Sequence, residues 1–317
     1  MTQTNKSISK TVGTLQFETS TNCNANCRFC NHRHMSRKGH MSLPNIIDLT
    51  FNLAHKAQTV CPFWMQEPTL DKRLADILSN IKCYAPRTQT VVYSNMGYYP
   101  KENWKTILET GTLDQLVISF FGTDKETYNT LQPPLDFETT KKNIKKLWRL
   151  RQKLGWVKPE INIRLLITPE TVNKVKQYFK TWRPYADKVA VTFWESWDGN
   201  GDPKEILELN RKFFGEPAQR VPCPRLYSTQ VITCDGDVAM CCQDYNVSEK
   251  LGNVFVDGYD LWTDNIHLQR LKSLHEAGEW GKIPICKDCT VYAYNTDKRW
   301  VKYWIDKTQF VDCVIRK

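Results

Sequence analysis

The sequence lacks an apolar segment long enough to cross a lipid bilayer, which takes about 20 consecutive apolar residues. Its first ten residues, MTQTNKSISK, are polar and contain no apolar core of a signal peptide. Internal repeats, low-complexity tracts and recognised nucleic-acid-binding motifs are also missing. We therefore expect a soluble, cytoplasmic protein that has neither a membrane nor a nucleic acid as its partner.

Cysteine is absent from residues 84–222, although the chain of 317 residues contains 12 cysteines. Three of them crowd into residues 23–30, and six lie between 223 and 289. In a reducing cytosol, cysteines in short-spaced groups are more often metal or catalytic ligands than disulfide partners. The distribution predicts two metal sites, one near each end of the chain.

The charge is unbalanced, with 44 Lys and Arg against 34 Asp and Glu and a net charge of +10. Such an excess is compatible with an anionic substrate. The densest basic stretch is KKNIKKLWRLRQK, residues 141–153. Its apolar neighbours share one helical face, which predicts an outer helix with a solvated basic surface. The apolar residues are Phe137, Ile144, Leu147 and Trp148.

Strand-like and helical patterns alternate through the first two-thirds of the chain. Six β/α units of this kind predict an α/β fold with a parallel sheet and helices outside it. Eight units would close a full barrel, so six predict a partial (β/α)6 TIM-like barrel, with its site at the carboxyl ends of the strands. Strands are predicted at 15–19, 60–66, 90–95, 115–121, 161–167 and 189–194, and helices at 43–57, 70–84, 101–110, 137–153 and 171–184.

The alternation ends in residues 195–222, which are rich in turn-forming residues. The runs RLYSTQVIT and DVAMCC then flank a CDG turn, which predicts a β-hairpin. A helix near 262–277 and a CKDC loop follow. We place a domain boundary near residue 215, between a partial-barrel domain (1–215) and a small C-terminal domain (216–317).

The first cysteine group, TNCNANCRFC, directly follows the first predicted strand and has the spacing Cys-x3-Cys-x2-Cys. Its members Cys23, Cys27 and Cys30 can hold three irons of a [4Fe–4S] cluster, which leaves the fourth iron open to a small chelating molecule. A zinc site more often has four ligands. Because His32 and His34 lie nearby, zinc is the alternative.

With its place after strand one, this motif resembles that of the radical S-adenosylmethionine (SAM) superfamily. Further segments at strand ends resemble the SAM-binding motifs of that family: MQEP (65–68), YSNMG (93–97) and ISFFGTDKETY (118–128). Met65 and Gln66 stand where the family has two glycines. The resemblance implies a partial barrel, a SAM-binding [4Fe–4S] cluster, and SAM contacts by Phe29, Glu67, Ser94, Asn95, Ser119 and Arg164.

The resemblance also implies roles for individual residues. Phe29 would lie near the adenine, and Glu67 would accept a hydrogen bond from the SAM ammonium. Arg164 would pair with the SAM carboxylate, or with a structural carboxylate instead. When reduced, the open iron of the family releases a 5′-deoxyadenosyl radical from SAM, and a flavodoxin- or ferredoxin-type reductant is the expected electron donor.

Four cysteines of the last third, Cys223, Cys241, Cys286 and Cys289, make a complete ligand set for a closed [4Fe–4S] cluster. The stretch DGDVAMCCQD, followed by LGNVFVDGYDLW and CKDC, resembles the SPASM/twitch domains of many radical SAM enzymes. Because only Cys313 follows, we favour the twitch type with one auxiliary cluster. Zinc on the same four cysteines is the alternative.

The remaining cysteines divide into two groups. Cys61 lies in a strand run and Cys83 in a helix, and both are predicted to be core residues. Cys234, Cys242 and Cys313 are candidates to donate a hydrogen atom to a substrate radical, and Cys234 is also an alternative ligand of the second cluster. Substrate contacts are expected after the sixth strand, at the barrel mouth, although a domain-linking loop explains the same residues: Glu195, Trp197 and Asp198.

The resemblance implies an enzyme that abstracts hydrogen from an unactivated C–H bond. The substrate radical can be oxidised through the auxiliary cluster, quenched by a cysteine with epimerisation, or attacked by a sulfur to form a thioether. Only 22 residues precede Cys23, fewer than a peptide-recognition domain has, which favours a small polar substrate such as a sugar or aminocyclitol. The alternative is a maturase of ribosomally made peptides. A third class is an electron carrier, which the SAM-side motifs disfavour because an electron carrier would need none of them.

Overall fold

The computed structural model describes residues 12–196 and 201–295. Its strands are β1 (Val12–Phe17), β2 (Ala57–Cys61), β3 (Gln89–Ser94), β4 (Gln115–Ser119), β5 (Glu160–Leu166), β6 (Lys188–Thr192), β7 (Thr229–Ile232), β8 (Asp237–Ala239) and β9 (Lys250–Asn253). The long helices are α1 (Leu43–Leu53), α2 (Leu74–Tyr84), α3 (Lys101–Thr110), α4 (Lys125–Leu131), α5 (Phe137–Lys153), α6 (Val175–Trp182) and α7 (Pro203–Phe214).

The C-terminal part adds short helices around one longer helix. These are α8 (Arg225–Ser228), α9 (Val254–Asp257), α10 (Leu261–Asp264), α11 (Ile266–Glu276), α12 (Pro284–Lys287) and α13 (Tyr292–Asn295). Single 3₁₀ turns lie at Asn31–His34, Ala54–Lys56, Pro68–Leu70, Val172–Lys174, Arg183–Tyr185 and Trp280–Lys282.

One sheet of nine strands, in the order β6-β5-β4-β3-β2-β1-β7-β8-β9, runs through the described residues. Strands β1 to β6 pair in parallel with their sequence neighbours, and β6 and β9 form the two edges. The predicted α/β fold with an open (β/α)6 partial barrel is therefore confirmed.

The predicted C-terminal hairpin is confirmed, and its first strand joins the barrel sheet. Strand β7 pairs in parallel with β1, where Phe17 lies opposite Ile232, and then in antiparallel with β8. Gly236 in the turn has φ +90°, and a Cβ there would overlap the ring of Phe255. The turn therefore requires glycine both for its backbone and for its space.

The basic helix α5 has the predicted bounds, and Asp136 caps its N-terminus by accepting from the Thr139 amide. Phe137, Ile144 and Leu147 are buried on its inner face, as predicted. Arg151 differs from its basic neighbours, because it is only 2% exposed and pairs with Asp187.

Several predicted boundaries or elements differ from the structure, and the helix predicted near 262–277 is divided into α10 and α11. Strand β2 ends at Cys61, well before Gln66, since Pro62 has no amide to continue the ladder. The sequence predicts a turn-rich segment where helix α7 lies, although Asp202 at its N-cap and Pro203 at its first position are helix-start signals. Helix α4 is likewise not predicted, because the sequence analysis places its first residues only in the ISFFGTDKETY motif.

The core predictions for cysteine are confirmed for Cys61, which is buried, and wrong for Cys83, which is exposed on the outer face of α2. No helix in residues 12–196 or 201–295 combines the length and the hydropathy that a membrane span requires.

Candidate active site and metal centres

The first cysteine group lies in the loop that leaves the carboxyl end of β1. The Arg28 amide anchors this loop by donating to the Leu131 carbonyl, at 3.1 Å. The Cys30 amide donates to the Cys27 carbonyl, also at 3.1 Å, and Cys30 caps the following 3₁₀ turn. The backbone thus folds Cys23, Cys27 and Cys30 around one small region.

The electrostatics of these three thiols fit a bound cation. Burial raises the pKa of Cys23 to about 12. Burial also raises the pKa of Cys27, and the neighbouring Cys30 and Cys23 raise it further, so the three thiolates would repel one another. An iron cluster removes that penalty, because a coordinated thiol is deprotonated outright. The three thiols are therefore the candidates to hold the SAM-binding cluster.

The histidines that suggested zinc are engaged or exposed. His32 Nε2 lies 2.8 Å from the Thr21 carbonyl oxygen, and His34 is exposed. In residues 12–196 and 201–295, no three His, Cys, Asp or Glu side chains are close enough together to bind a single metal ion.

Glu67 is 2% exposed and joins the end of β2 to the end of β3. Its Oε1 accepts from the Thr69 amide at 3.1 Å, from Thr69 Oγ1 at 2.7 Å and from Ser94 Oγ at 2.7 Å. Its Oε2 accepts from the Asn95 amide at 2.7 Å and retains capacity for a further donor. Burial raises the pKa of Glu67, and these hydrogen bonds oppose that rise.

Gln66, which stands where the family has a glycine, cross-links two loops. Its Oε1 accepts from the amides of Thr19 and Ser20, at 2.9 and 3.0 Å, and its Nε2 donates to Thr19 Oγ1 at 2.9 Å. Met65 packs in a small apolar cluster with Val231 of β7. The two departures from glycine thus tie the end of β2 to β1 and to the C-terminal hairpin.

A cavity of about 520 Å³ runs along the inner faces of strands β1 to β6 and is lined by Cys30 of the first cysteine group and by residues from three further groups of sequence predictions. Phe29, Ser119 and Arg164, predicted to contact SAM, line it. Glu195, a predicted substrate contact, and Cys242, a predicted hydrogen donor, line it too. The structure therefore brings these five residues around one space.

The remaining predicted SAM contacts and Cys234 do not line this cavity. Glu67, Ser94 and Asn95 bond to one another and are not among the residues that line the cavity. Cys234 is buried beneath Gly39, outside the cavity lining, and burial raises its pKa to about 12. Three predictions lie outside the described residues: Trp197, Asp198 and Cys313.

Sequence reasoning missed two residues of the cavity wall, Arg225 and Gln243. Arg225 Nη2 lies 3.0 Å from Glu195 Oε1, and Gln243 Nε2 donates to Glu195 Oε2 at 2.6 Å. Arg225 Nη1 donates to Cys242 Sγ at 3.1 Å, and Trp64 Nε1 donates to the Cys242 carbonyl at 3.0 Å. The only signal in the sequence is their closeness to cysteines, which says nothing of what they contact.

Burial disfavours the thiolate form of Cys242. Burial raises its pKa, whereas the Arg225 guanidinium lowers it, and the net direction is upward. Because the sulfur accepts from Arg225, this contact does not use the S–H donor. Arg164 also faces the cavity; its guanidinium lies 5.7 Å from the centre of the Tyr93 ring and forms no ion pair with a described residue.

The second cysteine group surrounds a smaller cavity, and all four predicted members line it: Cys223, Cys241, Cys286 and Cys289. Burial raises the pKa of Cys286 to about 12 and that of Cys289 to about 11, so a cation is again the partner that would compensate. The alternative ligand Cys234 is not part of this lining. The four thiols fit the ligand set of one cluster.

Arg220 stabilises the loop that carries Cys286. Its guanidinium donates to the Cys286 carbonyl and, at 3.2 Å, to the Lys287 carbonyl. It also lies between two rings, with its centre 4.7 Å from Trp280 and 5.0 Å from Tyr292. This contact orders the CKDC loop from one side.

Two family models match the chain. The model of the radical SAM superfamily matches residues 17–192, and the model of the SPASM iron–sulfur cluster-binding domain matches residues 223–290. No curated protein sequence matches the chain.

Several solved structures share the fold. BtrN in complex with AdoMet and 2-DOIA has a TM-score of 0.57 at 17% identity, over 89% of this chain and 94% of that one. SuiB of Streptococcus suis bound to S-adenosylmethionine has a TM-score of 0.68 at 15% identity, over 84% and 68%. The protein anSMEcpe with bound AdoMet has a TM-score of 0.61 at 15% identity, over 90% and 91%.

The superfamily model covers more than half of the chain, and the SPASM model covers most of the rest up to the last cysteine pair. The cofactors are accordingly SAM, a [4Fe–4S] cluster and an auxiliary iron–sulfur cluster. The chain belongs to the radical SAM superfamily and carries a C-terminal SPASM domain.

Proposed function

We propose that this protein abstracts a hydrogen atom from an unactivated C–H bond of a small polar substrate, such as a sugar or aminocyclitol, and epimerises that carbon. The observation that carries the proposal is the single cavity shared by predicted SAM contacts, by the Glu195–Arg225 pair and by the Cys242 thiol. We assign Cys23, Cys27 and Cys30 to the SAM-binding cluster.

The second ligand set belongs to the same proposal. We assign the auxiliary cluster to Cys223, Cys241, Cys286 and Cys289, which line one cavity. Bound to the first cluster, SAM supplies the 5′-deoxyadenosyl radical that removes the hydrogen atom from the substrate.

The size and polarity of the cavity support a small polar substrate. A volume of about 520 Å³ is typical of a site for one drug-sized ligand, and here it has to admit part of SAM as well. Glu195 is held by Arg225 and Gln243, so it presents a fixed carboxylate edge to a hydroxyl or ammonium group. Arg164, without an ion-pair partner in the described part of the chain, suits an anionic group of SAM or substrate.

Cys242 supports epimerisation over simple oxidation. Of the hydrogen-donor candidates that the structure describes, Cys242 lines the cavity and Cys234 does not. After a hydrogen atom leaves the substrate carbon, the Cys242 S–H bond breaks and a hydrogen atom returns to the other face of that carbon. The resulting sulfur radical is restored to a thiol by one electron from a flavodoxin- or ferredoxin-class donor and one proton from solvent.

The test is anaerobic turnover of the reconstituted enzyme in D₂O with a panel of sugars, aminocyclitols and precursor peptides. We expect an epimerised small molecule that carries one solvent deuterium at the inverted carbon, because a thiol exchanges its proton with solvent. Transfer of substrate deuterium into 5′-deoxyadenosine from peptides alone would instead establish a peptide maturase.

The matched variants are Cys242→Ser and Cys234→Ser, which make the same change inside and outside the cavity. We expect the first to lose epimerisation while still forming 5′-deoxyadenosine, and the second to behave as wild type. A product that is oxidised at the same carbon and contains no solvent deuterium would show dehydrogenation in place of epimerisation, provided that Cys242→Ser does not affect its formation.

A further inference from the structure

His275, near the end of α11, is a buried histidine that the proposed reaction does not use. It is 3% exposed and lines the same small cavity as the four C-terminal cysteines. Its Nε2 atom has no hydrogen-bond partner among residues 12–196 and 201–295. Since nearly all buried polar groups in native proteins are paired, such an atom requires an explanation.

The hydrogen bond of the other ring nitrogen, Nδ1, shows which nitrogen of His275 carries the proton. The amide of Cys223 donates to His275 Nδ1 at 3.3 Å, so Nδ1 is the acceptor. The proton of the imidazole is therefore on Nε2, the nitrogen without a partner. This arrangement makes Nε2 a hydrogen-bond donor and leaves it unsuited to bind iron, because a metal-binding Nε2 would require a proton on Nδ1, against the Cys223 amide.

Other donors that line this cavity already have acceptors. Arg220 donates to the carbonyls of Cys286 and Lys287, and Arg225 donates to Glu195 and Cys242. The Gln243 amide nitrogen donates to Glu195 as well. Among these side chains of the described region, the His275 N–H is the donor that lacks an acceptor, while the cavity is bounded by four candidate thiolates.

We propose that the His275 Nε2–H donates a hydrogen bond to a sulfur atom of the auxiliary iron–sulfur cluster and raises the reduction potential of that cluster. The inference rests on the proposed assignment of the four cysteines. Hydrogen bonds to cluster sulfurs are one of the protein's means of setting the potential. A donor stabilises the more negatively charged reduced cluster more than the oxidised one, so the potential rises.

The variants separate the two ring nitrogens. His275→Asn keeps an acceptor near the Nδ1 position for the Cys223 amide and removes the donor at Nε2. His275→Gln places an amide N–H near the Nε2 position. The matched control is His267→Asn on the same helix, whose ring bonds Glu249 at 2.9 Å and does not line the cavity.

The reduction potential of the auxiliary cluster is measured in the full holoenzyme by a redox titration followed by EPR. We expect His275→Asn to make reduction about tenfold less favourable, which corresponds to a fall of about 59 mV for one electron. His275→Gln should lie nearer to wild type, and His267→Asn should match it. Equal potentials in wild type and His275→Asn, at full iron content, would overturn the inference.

A second measurement needs no variant to fold. Pulsed EPR of the reduced wild-type auxiliary cluster should show an exchangeable proton and a weakly coupled nitrogen, the pattern of a hydrogen-bonded imidazole. A strongly coupled nitrogen, as from an iron ligand, or no imidazole nitrogen at all, would overturn the inference.

Iron content distinguishes failure of the inference from failure of its premise. Wild type should hold about eight irons, and a Cys23/Cys27/Cys30→Ala variant about four, because each [4Fe–4S] cluster carries four. About four irons in wild type and none in the variant would refute the cysteine assignment and the inference together. If the iron contents are as expected but the reduction potential of His275→Asn equals that of wild type, only the inference is refuted.

Discussion

Replacing Glu67 by glutamine is the sharpest test of the proposed SAM site. Three donor hydrogens converge on Oε1, two from Thr69 and one from Ser94, so the new amide group cannot occupy that position. It must take the place of Oε2, where it faces the Asn95 amide at 2.7 Å. Two donors then oppose each other in a buried site.

The structure allows the size of both effects to be worked out. An unsatisfied buried donor costs about 1–3 kcal/mol, so we expect a comparable loss in the free energy of unfolding. The variant also loses the one oxygen with capacity to accept from the SAM ammonium. A hydrogen bond to a charged group contributes about 1.5–3 kcal/mol, so the Kd for SAM should rise by about 10- to 150-fold.

The assay is equilibrium binding of SAM under anaerobic conditions, with samples matched for iron content. The control is Glu109→Gln, an exposed carboxylate on α3 that lies 3.9 Å from Lys105. The control should bind SAM as wild type does. A Glu67→Gln variant with its full iron content and wild-type affinity for SAM would refute the role of Glu67.

Two further predictions concern buried ion pairs. Arg37→Met leaves the fully buried Glu18 carboxylate unpaired, so we expect the free energy of unfolding to fall by about 3–5 kcal/mol. Adding Glu18→Gln to this variant should recover part of the loss. An Arg37→Met variant as stable as wild type would contradict this prediction. Burial alone would raise the pKa of Asp114, but hydrogen bonds from Lys158 and Lys82, both at 2.5 Å, lower it to about 2. Because the folded pKa lies below the unfolded one, this group stabilises the fold above about pH 4, and the effect disappears as the pH falls toward 2. Asp114→Asn should therefore lower the free energy of unfolding measured by urea titration at pH 7 by about 1–2 kcal/mol, since solvent screens the exposed Lys158 partner, with a smaller deficit at pH 3. A deficit that is the same at both pH values would contradict this reading.

The sequence predicted the six parallel strands because apolar runs and helical faces repeat at regular intervals. Local chemistry also predicted Cys23, Cys27 and Cys30, since their spacing is set by one loop. The pairing of β7 with β1 was not predicted, because the hydrogen bonds join residues more than two hundred positions apart, such as Phe17 and Ile232. Such pairings depend on the tertiary fold and leave no periodic signal.

The site residues that were missed share a cause. Arg225, Gln243 and His275 derive their interest from what they contact across the fold, and an isolated Arg, Gln or His carries no spacing motif. Cys83 is predicted to be buried but is exposed, because its position in a helix does not show whether it faces the core or the solvent. Local pattern thus predicts candidate ligands in loops, and it does not detect residues whose contacts are long-range.

The parallel pairing of β7 with β1 has a consequence for dividing this protein. A fragment ending near residue 215 would leave the β1 edge without its partner, and an isolated C-terminal fragment would lose the strand that orders β7. We therefore expect the two halves to fold as one cooperative unit. Exchanging the C-terminal half for that of a relative would require matching the β1 edge as well as the cysteine positions.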